Sequence, residues 1–332
     1  MYTRRRYGFW MTFDWSKMPF VYGLIYAAVL TIVFEYLFHH QNFDISVNWQ
    51  PISVLGIAVA FYLGFKNNAS YDRTWEARKI WGTIVNDSRS FGSAVCSFIQ
   101  GQHADEIKKE IIYRHIAWLT SLRYQLRLTR EWEHTEYRVK GKFNPEISEA
   151  YFDQLEAEVK GFIGHEEFAM YEGKTNMAAQ ILNKQAIRMQ ELKDAGYFED
   201  FRHIEFFTLI KGFYDSQGGT ERIKNFPFPR QYASVALWMT LIFSLLIPFG
   251  LLNVFHNEAS HTVWLTIPFS ALLIWAFYLM EMIGDFSENP FEGTYNDVPI
   301  TTIARGIEID LKEMINEQDV PKPMTAENGF LM

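Results

Sequence analysis

One predicted helical face places apolar side chains where they could form either a packed core or the wall of a passage. Ile57, Phe61 and Phe65 recur at i, i+4 and i+8, so a helix puts all three on the same side. Small residues that let neighbouring helices approach closely flank this stripe; they are Gly56, Ala58, Ala60 and Gly64. By pattern alone, core packing is the more frequent explanation of such a stripe, and both interpretations stay open.

The character of this segment changes at Lys66 without any helix-breaking residue. The next turns carry a polar group consisting of Asn68, Asp72, Arg73 and Glu76. A helix that leaves a membrane and continues into water has this pattern.

Side chains suited to catalysis or metal binding are scattered through the rest of the chain. His39 and His40 are adjacent, so they point to different sides, and the other histidines lack ligand spacing. Cys96 is the single cysteine, which excludes an intramolecular disulfide and any cysteine-rich metal centre. P-loop, GxSxG and HExxH motifs do not occur. The sequence therefore predicts neither an enzyme nor a metal site.

Four long apolar stretches supply the elements that would position the stripe. They cover residues 18–34 with an extension to 38, 49–65, 231–256 and 262–280. A bilayer core about 30 Å thick needs roughly 20 apolar residues as helix, so the sequence predicts four membrane spans. The second span is the shortest and contains two glycines, which makes it the weakest by hydropathy.

The positions of Lys and Arg predict the orientation of these spans. The links at 39–48 and 257–261 contain neither residue type, so both should face outward. Basic residues gather at the opposite ends of the spans: Arg4, Arg5, Arg6, Lys17, Lys66, Arg73, Arg78, Lys79, Arg222, Lys224 and Arg230. Both termini are therefore expected in the cytoplasm of a multi-pass protein of the cell (inner) membrane.

The predicted fold class is all-α: four transmembrane helices and a large helical cytoplasmic domain. We divide the chain into a cytoplasmic segment (1–17), spans one and two (18–65), a cytoplasmic domain (66–230), spans three and four (231–281) and a C-terminal cytoplasmic segment (282–332). Within the middle domain, apolar residues at helical spacing predict helices over 106–128, 176–196 and 201–219, the last two ending at glycine. The tail from Glu317 is polar and is expected to be loosely held.

Bulk composition agrees with a membrane protein only in part. The mean hydropathy is −0.11, so the chain average does not reveal the spans. Aromatic residues make up 17% of the chain, and such residues gather at packed interfaces and at membrane–water boundaries. The net charge of −8 argues against a nucleic-acid partner, which would require a concentrated basic face.

The polar continuation of the second span resembles the signature of the bestrophin family. Its segment FYLGFKNNASYDRTWEARKIWGTIVNDSR contains the core G-F-x-x-N-x-x-Y-x-R-x-W-E. Two further segments match the family in order: GGTERIKNFPFPRQYA, which precedes the third span in bacterial members, and ENPFEGTYNDVP, which follows the fourth. The resemblance extends to about residue 315, and the layout of four spans with internal termini is also that of the family.

The resemblance implies a homopentamer around an axial pore, because one helix from one subunit cannot enclose a passage. Position by position, the hydrophobic neck would consist of Ile57, Phe61 and Phe65, with the polar group from Asn68 to Glu76 below it. A second constriction in the cytoplasmic part is assigned to Phe201 and Ile204. Expected partners are the other subunits, permeant monovalent ions and the lipid bilayer.

Ion selectivity is left with two alternatives. The edge of a phenylalanine ring is partly positive and its face partly negative, so ring orientation at Phe61 would favour anions or cations, respectively. Animal bestrophins are calcium-gated anion channels, whereas some bacterial members pass sodium. A central Phe resembles the animal pattern and favours chloride, while Asp72 and Glu76 favour cations. Besides an anion channel and a cation channel, a membrane receptor or scaffold without conduction is the third possible function.

The family resemblance also raises the question of calcium. Animal members bind it in a clasp with four consecutive aspartates after the fourth span. Here the matching segment retains Asn289 and Asp297 but lacks the acidic run. Because calcium requires six to eight oxygen ligands, we expect no calcium site and no other cofactor.

Overall fold

The computed structural model describes residues 1–134, 149–256, 261–294 and 296–332. Regular secondary structure in these ranges is helical, with isolated β-bridges from Phe330 to Tyr2 and to Glu327. The helices in chain order are α1 (Phe9–Gln41), α2 (Trp49–Phe98), α3 (Ala104–Arg127), α4 (Glu149–Ala169), α5 (Met177–Asp194), α6 (Asp200–Asn225), α7 (Arg230–Phe255), α8 (Thr266–Phe286, after a 3-10 turn at His261–Leu265) and α9 (Ile300–Met314).

Four of these helices are long and apolar enough to cross a membrane: α1, α2, α7 and α8 with its preceding turn. The predicted all-helical fold with four apolar helices is therefore confirmed. α1 begins at Phe9, earlier than the hydropathy pattern indicated, because helix formation continues through the aromatic segment before Met18. α2 has 50 residues and continues past the predicted end of the span at Phe65.

Residues 4–72 and 228–288 form one compact unit, which we call the apolar unit. Its helix α1 packs along α8, and α7 packs on α8 and on α1. Its main core joins Val59 and Leu63 of α2 to Phe243 and Ile247 of α7. The two helices approach closely at Gly56, where an added Cβ would lie 2.7 Å from the Phe243 ring.

Residues 1–3, 73–227 and 289–332 form the second unit, which we call the polar unit. Its core combines the later part of α2 with α3, α5, α6 and α9, around large buried side chains such as Trp81, Phe91 and Trp118. Buried charged side chains are numerous in this unit, and they are paired with one another. Long-range packing therefore depends on both apolar contacts and ion pairs.

Two local predictions about the polar unit are wrong. Helix α6 does not end at its glycines but continues to Asn225, because Ile223 is buried and Thr220 donates a 2.8 Å hydrogen bond to the carbonyl of Gln217. The tail beyond Glu317 is not loosely held at its end. Phe330 is buried, and the Thr302 hydroxyl donates to the carbonyl of Met332 at 2.6 Å.

Some predictions lie outside the described residues. They concern 135–148 of the predicted cytoplasmic domain, 257–260 of the second outer link, and Tyr295 in the segment after the fourth span. The membrane and cytoplasmic boundaries drawn from the sequence stay predictions.

Candidate functional site

The predicted neck residues lie on an exposed face of α2. Ile57 is 71% exposed, Phe61 69% and Phe65 57%, although all three are large and apolar. Residues on the other side of the same helix, such as Val59 and Leu63, are buried. In the single chain the stripe is therefore not core packing, which was the more frequent explanation of the pattern.

Exposure along α2 recurs with a seven-residue period. The exposed positions of the first 24 residues that follow this pattern are Val54, Ile57, Ala58, Phe61, Gly64, Phe65, Asn68, Tyr71 and Asp72, roughly two to three in each heptad. A heptad period keeps one side of a helix facing a common axis when several helices wind around each other. This face is thus suited to assembly around an axis.

The two phenylalanines of the stripe contact each other. Their ring centroids are 4.6 Å apart and the ring planes meet at 80°, an edge-to-face arrangement. Gly64 lies between them in sequence, and a Cβ built on it would meet nothing within 4 Å. The stripe therefore consists of two mutually oriented rings beside an open glycine.

Polar contacts hold α2 in place at the base of the stripe. Lys66 is buried, and its Nζ lies 2.7 Å from Glu281 Oε1 and 3.5 Å from Asp285 Oδ1 of α8. The hydroxyl of Tyr62 donates to the Tyr232 carbonyl of α7 at 3.4 Å. Lys66 follows Phe65 directly, so this ion-pair group determines the rotation of α2 where the stripe ends.

The four polar residues predicted below the neck have two different environments in the structure. Asn68 and Asp72 are exposed and continue the stripe. Arg73 instead donates from Nη2 to the carbonyls of Ile223 and Phe226, both at 3.0 Å, at the end of α6. Glu76 pairs with Arg222 of the same helix. Arg73 and Glu76 thus connect α2 to α6, a contact that no sequence pattern indicated.

The residues proposed for the second constriction belong to the polar unit. Phe201 is 85% exposed and Ile204 is 61% exposed, three residues apart on α6. Phe207 extends this exposed apolar surface by another turn. The structure thus brings Phe201 and Ile204 onto one exposed face of α6.

The two calcium-clasp positions are occupied by protein contacts. Asp297 is buried, and its carboxylate accepts from Arg127 Nη1 at 2.6 Å, the Gly293 N–H at 2.5 Å and the Thr294 hydroxyl at 3.0 Å. Asn289 donates to Glu292 Oε2 at 3.2 Å. A guanidinium already neutralises the carboxylate on which calcium would depend, so these residues do not fit the ion.

Over the parts of the chain that the structure describes, no three His, Cys, Asp or Glu side chains form a group that could hold a metal ion. The best-buried histidine, His115, is 1% exposed and lies among the rings of Phe91, Trp118 and Phe213. Burial lowers its pKa from 6.5 to about 3, so it is neutral at physiological pH. It is a core residue.

Comparison with known proteins decides the family. The family model described as bacterial/fungal bestrophin protein matches residues 17–313. The chain is a member of the bestrophin family. The assignment made from the sequence motifs is thereby confirmed.

Relatives of this bestrophin cover most of its length. A voltage-dependent anion channel-forming protein of Mesorhizobium japonicum is 27% identical over 315 residues, 94% of this chain and 89% of the relative. The voltage-dependent anion channel-forming protein YneE of Salmonella typhimurium is 27% identical over 330 residues, 95% and 96% of the two chains.

Solved structures support the fold of this bestrophin. A bacterial bestrophin homologue from Klebsiella pneumoniae matches with a TM-score of 0.75 at 22% identity, covering 91% of this chain and 98% of that one. A variant of the Klebsiella protein matches with a TM-score of 0.76 over 94% of this chain. At this identity the match establishes the fold alone. Together with the four apolar helices, it makes this bestrophin a membrane protein.

Two groups in this bestrophin were missed by sequence reasoning. Lys66 was used to mark the end of a span and to orient it, and its partner Glu281 lies 215 residues away. Arg127 is at the end of an amphipathic helix, where arginine is ordinarily solvated. The sequence around Lys66 contains no signal that this cation is buried, because Asn67 and Asn68 follow it directly.

Proposed function

We propose that this bestrophin is one subunit of a homopentameric ion channel in the cell (inner) membrane, with both termini in the cytoplasm. In this proposal α2 of each subunit faces the pore axis, and residues 66–230 form the helical cytoplasmic domain. The channel favours anions such as chloride.

The exposed heptad face of α2 is the observation that carries the proposal. This face leaves Ile57, Phe61 and Phe65 exposed in the single chain, although all three are large and apolar. One helix cannot enclose a passage, so the function requires copies of the chain around an axis. The exposed sides of α1, α7 and α8 are also apolar. The assignment of the pore-facing side to α2 therefore rests as well on the family signature, which begins at Gly64 and continues through the exposed polar residues Asn68 and Asp72.

Ile57, Phe61 and Phe65 then form a hydrophobic neck. A narrow ring of apolar side chains excludes water and ions, and a slightly wider one admits them. The edge-to-face contact between Phe61 and Phe65 couples the orientations of the two rings. A small rotation of one ring would therefore change both the width of the neck and the electrostatic surface it presents.

Anion selectivity is supported by the relatives, which are voltage-dependent anion channel-forming proteins, and by the central phenylalanine. Arg73 and Glu76 are engaged with α6 and contribute opposite charges, so Asp72 is the carboxylate that remains on the stripe. A cation channel, for example for sodium, is the alternative that Asp72 favours. A receptor or scaffold without conduction is the remaining alternative, and a chain of this kind would show no ion flux.

The test is the reversal potential of purified protein in planar bilayers under a salt gradient. We expect the reversal potential to lie close to the equilibrium potential of the anion. We also expect Phe61→Ala to increase conductance and to change the anion-to-cation permeability ratio. Phe269→Ala is the matched control, because Phe269 is also an exposed phenylalanine of the apolar unit but lies on α8. Fixed reversal potentials across the Phe61 variants, or equal effects of the two substitutions, would contradict the neck assignment.

The second constriction at Phe201 and Ile204 and the independence from calcium belong to the same proposal. Ile204→Ala should change conductance less than Phe61→Ala, because the α6 face includes charged neighbours such as Glu205. Because Arg127 occupies the carboxylate of Asp297, removal of calcium by a chelator should leave currents unchanged. No catalytic activity is proposed.

A further inference from the structure

A basic segment precedes α1 and is open to solvent. Arg4, Arg5 and Arg6 are consecutive and exposed. None of the three forms an ion pair or a side-chain hydrogen bond with the described parts of the chain. Lys17, the next cation along the chain, is different because its Nζ pairs with Asp14 at 2.7 Å. The unit thus carries three adjacent guanidinium groups that are not neutralised.

Aromatic side chains follow these arginines at the start of α1. Trp10 is 78% exposed, and Phe9 is exposed beside it with the ring centroids 5.5 Å apart. Phe13 contacts both of them, with centroid distances of 6.1 Å to Phe9 and 6.4 Å to Trp10. A tryptophan and a phenylalanine this exposed in water would be unfavourable, so the cluster requires a partly apolar environment.

Contacts with α8 hold this cluster in place. The Phe13 and Trp275 rings are 5.9 Å apart, and the Trp275 indole N–H donates to the Ser16 hydroxyl at 2.9 Å. Residues 4–72 and Trp275 belong to the same compact unit. The exposed rings are therefore presented from a fixed position at one end of the apolar helices.

The combination of features indicates the chemistry of the partner. Tryptophan rings occupy the headgroup level of a bilayer, where one part is apolar and another is wet. Guanidinium groups bind phosphate with two parallel hydrogen bonds. An acidic protein surface would match the arginines but would not explain why an aromatic cluster continuous with a membrane span lies beside them.

We propose that Arg4, Arg5 and Arg6, together with Trp10, form a docking surface for the phosphate headgroups of anionic glycerophospholipids in the surrounding leaflet. The guanidinium groups bind the phosphates, and the Trp10 and Phe9 rings lie among the upper acyl carbons. This surface depends on the membrane location of the chain and not on ion conduction, so it holds equally for a channel and for a scaffold.

Lipid binding by the full-length protein in detergent tests the proposal. Phosphatidylglycerol and phosphatidylcholine are titrated separately, and bound lipid is counted by native mass spectrometry. We expect the protein to prefer phosphatidylglycerol. The variant Arg4→Gln/Arg5→Gln/Arg6→Gln should bind it on the order of a hundredfold more weakly, and added salt should reduce the difference.

The control variant is Lys174→Gln/Lys184→Gln/Lys322→Gln, which removes the same number of positive charges from the polar unit. It should bind phosphatidylglycerol as the parent does. Circular dichroism and size-exclusion profiles equal to those of the parent establish that both variants fold. Equal binding by the parent and the arginine variant would overturn the proposal, as would an equal loss in the control. Competition by soluble glycerol 1-phosphate as strong as that by the lipid would show a free-phosphate site instead, and would also overturn it.

Discussion

The apolar unit and the polar unit use buried charge differently. In the apolar unit one cation, Lys66, is buried between α2 and α8 with two carboxylates around it. In the polar unit buried ion pairs are distributed over many helices, from Arg114 with Glu167 to Arg127 with Asp297. The position of α2 at the base of its exposed face therefore depends on one buried ion-pair group. In the polar unit, several buried ion pairs hold the helices together, so each pair fixes only part of the packing.

The most deeply buried ion pair of the polar unit is Arg127 with Asp297, and both side chains are 1% exposed. Arg127→Met leaves the Asp297 carboxylate buried without its cation, and removal of one partner of a buried pair destabilises a protein by about 3–5 kcal/mol. We expect a markedly lower midpoint of thermal unfolding for detergent-purified protein. Ion selectivity of the protein that remains folded should not change.

Arg89→Met is the control for that experiment within the same unit. Arg89 pairs with Asp310 at 2.8 Å, but its side chain is half exposed, and exposed pairs contribute about 0–1 kcal/mol. Equal destabilisation by the two substitutions would mean that burial of the pair does not decide its importance.

The corresponding substitution in the apolar unit is Lys66→Met. Glu281 is buried, but Asp285 is partly exposed, so we expect a loss of about 3 kcal/mol, the lower end of the range for buried pairs. Unlike Arg127→Met, this change should also alter conductance, because Lys66 follows Phe65 and orients the stripe. Lys17→Met, which breaks an exposed pair with Asp14, is the control, and Glu281→Gln in the Lys66→Met background should restore part of the stability. Normal conductance in folded Lys66→Met protein would refute the positioning role.

The polar unit also contains a buried titratable group whose effect depends on pH. Because the pKa of His115 is about 3 in the folded chain and 6.5 when solvated, the unfolded chain binds the proton more tightly between these values. Stability therefore falls as pH decreases below 6.5, by about 2 kcal/mol at pH 5. The thermal midpoint of the parent should decrease between pH 7 and pH 5 more than that of His115→Gln. Parallel pH profiles would contradict the assignment of this effect to His115.

Much of this architecture could be predicted, and the reasons differ from one feature to another. Four apolar stretches identify α1, α2, α7 and α8, because burial in a bilayer requires a local property, hydropathy, over a local length. The stripe of Ile57, Phe61 and Phe65 is likewise local, because helical spacing alone places the three side chains on one face. The spacing did not predict that this face is exposed, since core packing is the more frequent explanation of such a pattern. The contacts that fix it are not local. Lys66 finds its partners across 215 residues, and no pattern near Lys66 indicates which carboxylates they are.

Helix ends and caps show the same limit. Glycines at 218 and 219 predicted the end of α6, but buried residues further along, including Ile223, extend the helix to Asn225. Packing contributes more than the intrinsic preference of one or two glycines, which is about 1 kcal/mol each. The pairing of Asp297 with Arg127 could not be predicted either, because the two residues are 170 positions apart in the sequence.

The two glycines of α2 allow the smallest and most specific test of the comparison. A Cβ at Gly56 would lie 2.7 Å from the buried Phe243 ring, so Gly56→Ala should overpack the apolar core and destabilise it by about 1–3 kcal/mol. A Cβ at Gly64 would meet nothing within 4 Å, so Gly64→Ala should instead stabilise the helix by about 0.5–1 kcal/mol. The substitution of glycine by alanine is expected to change the free energy of unfolding in opposite directions at the two positions, because Gly56 faces α7 and Gly64 faces open space.

Single-channel conductance provides a second measurement on these glycine variants. If the open space beside Gly64 is the pore, Gly64→Ala places a methyl group from every subunit next to the rings of Phe61 and Phe65. The neck then becomes narrower and drier, so single-channel conductance should fall while the thermal midpoint rises. If that space is filled by lipid, the midpoint should rise with no change in conductance. A more stable protein that conducts less is therefore the outcome that places the exposed face of α2 at the axis, and a more stable protein with unchanged conductance would place it elsewhere.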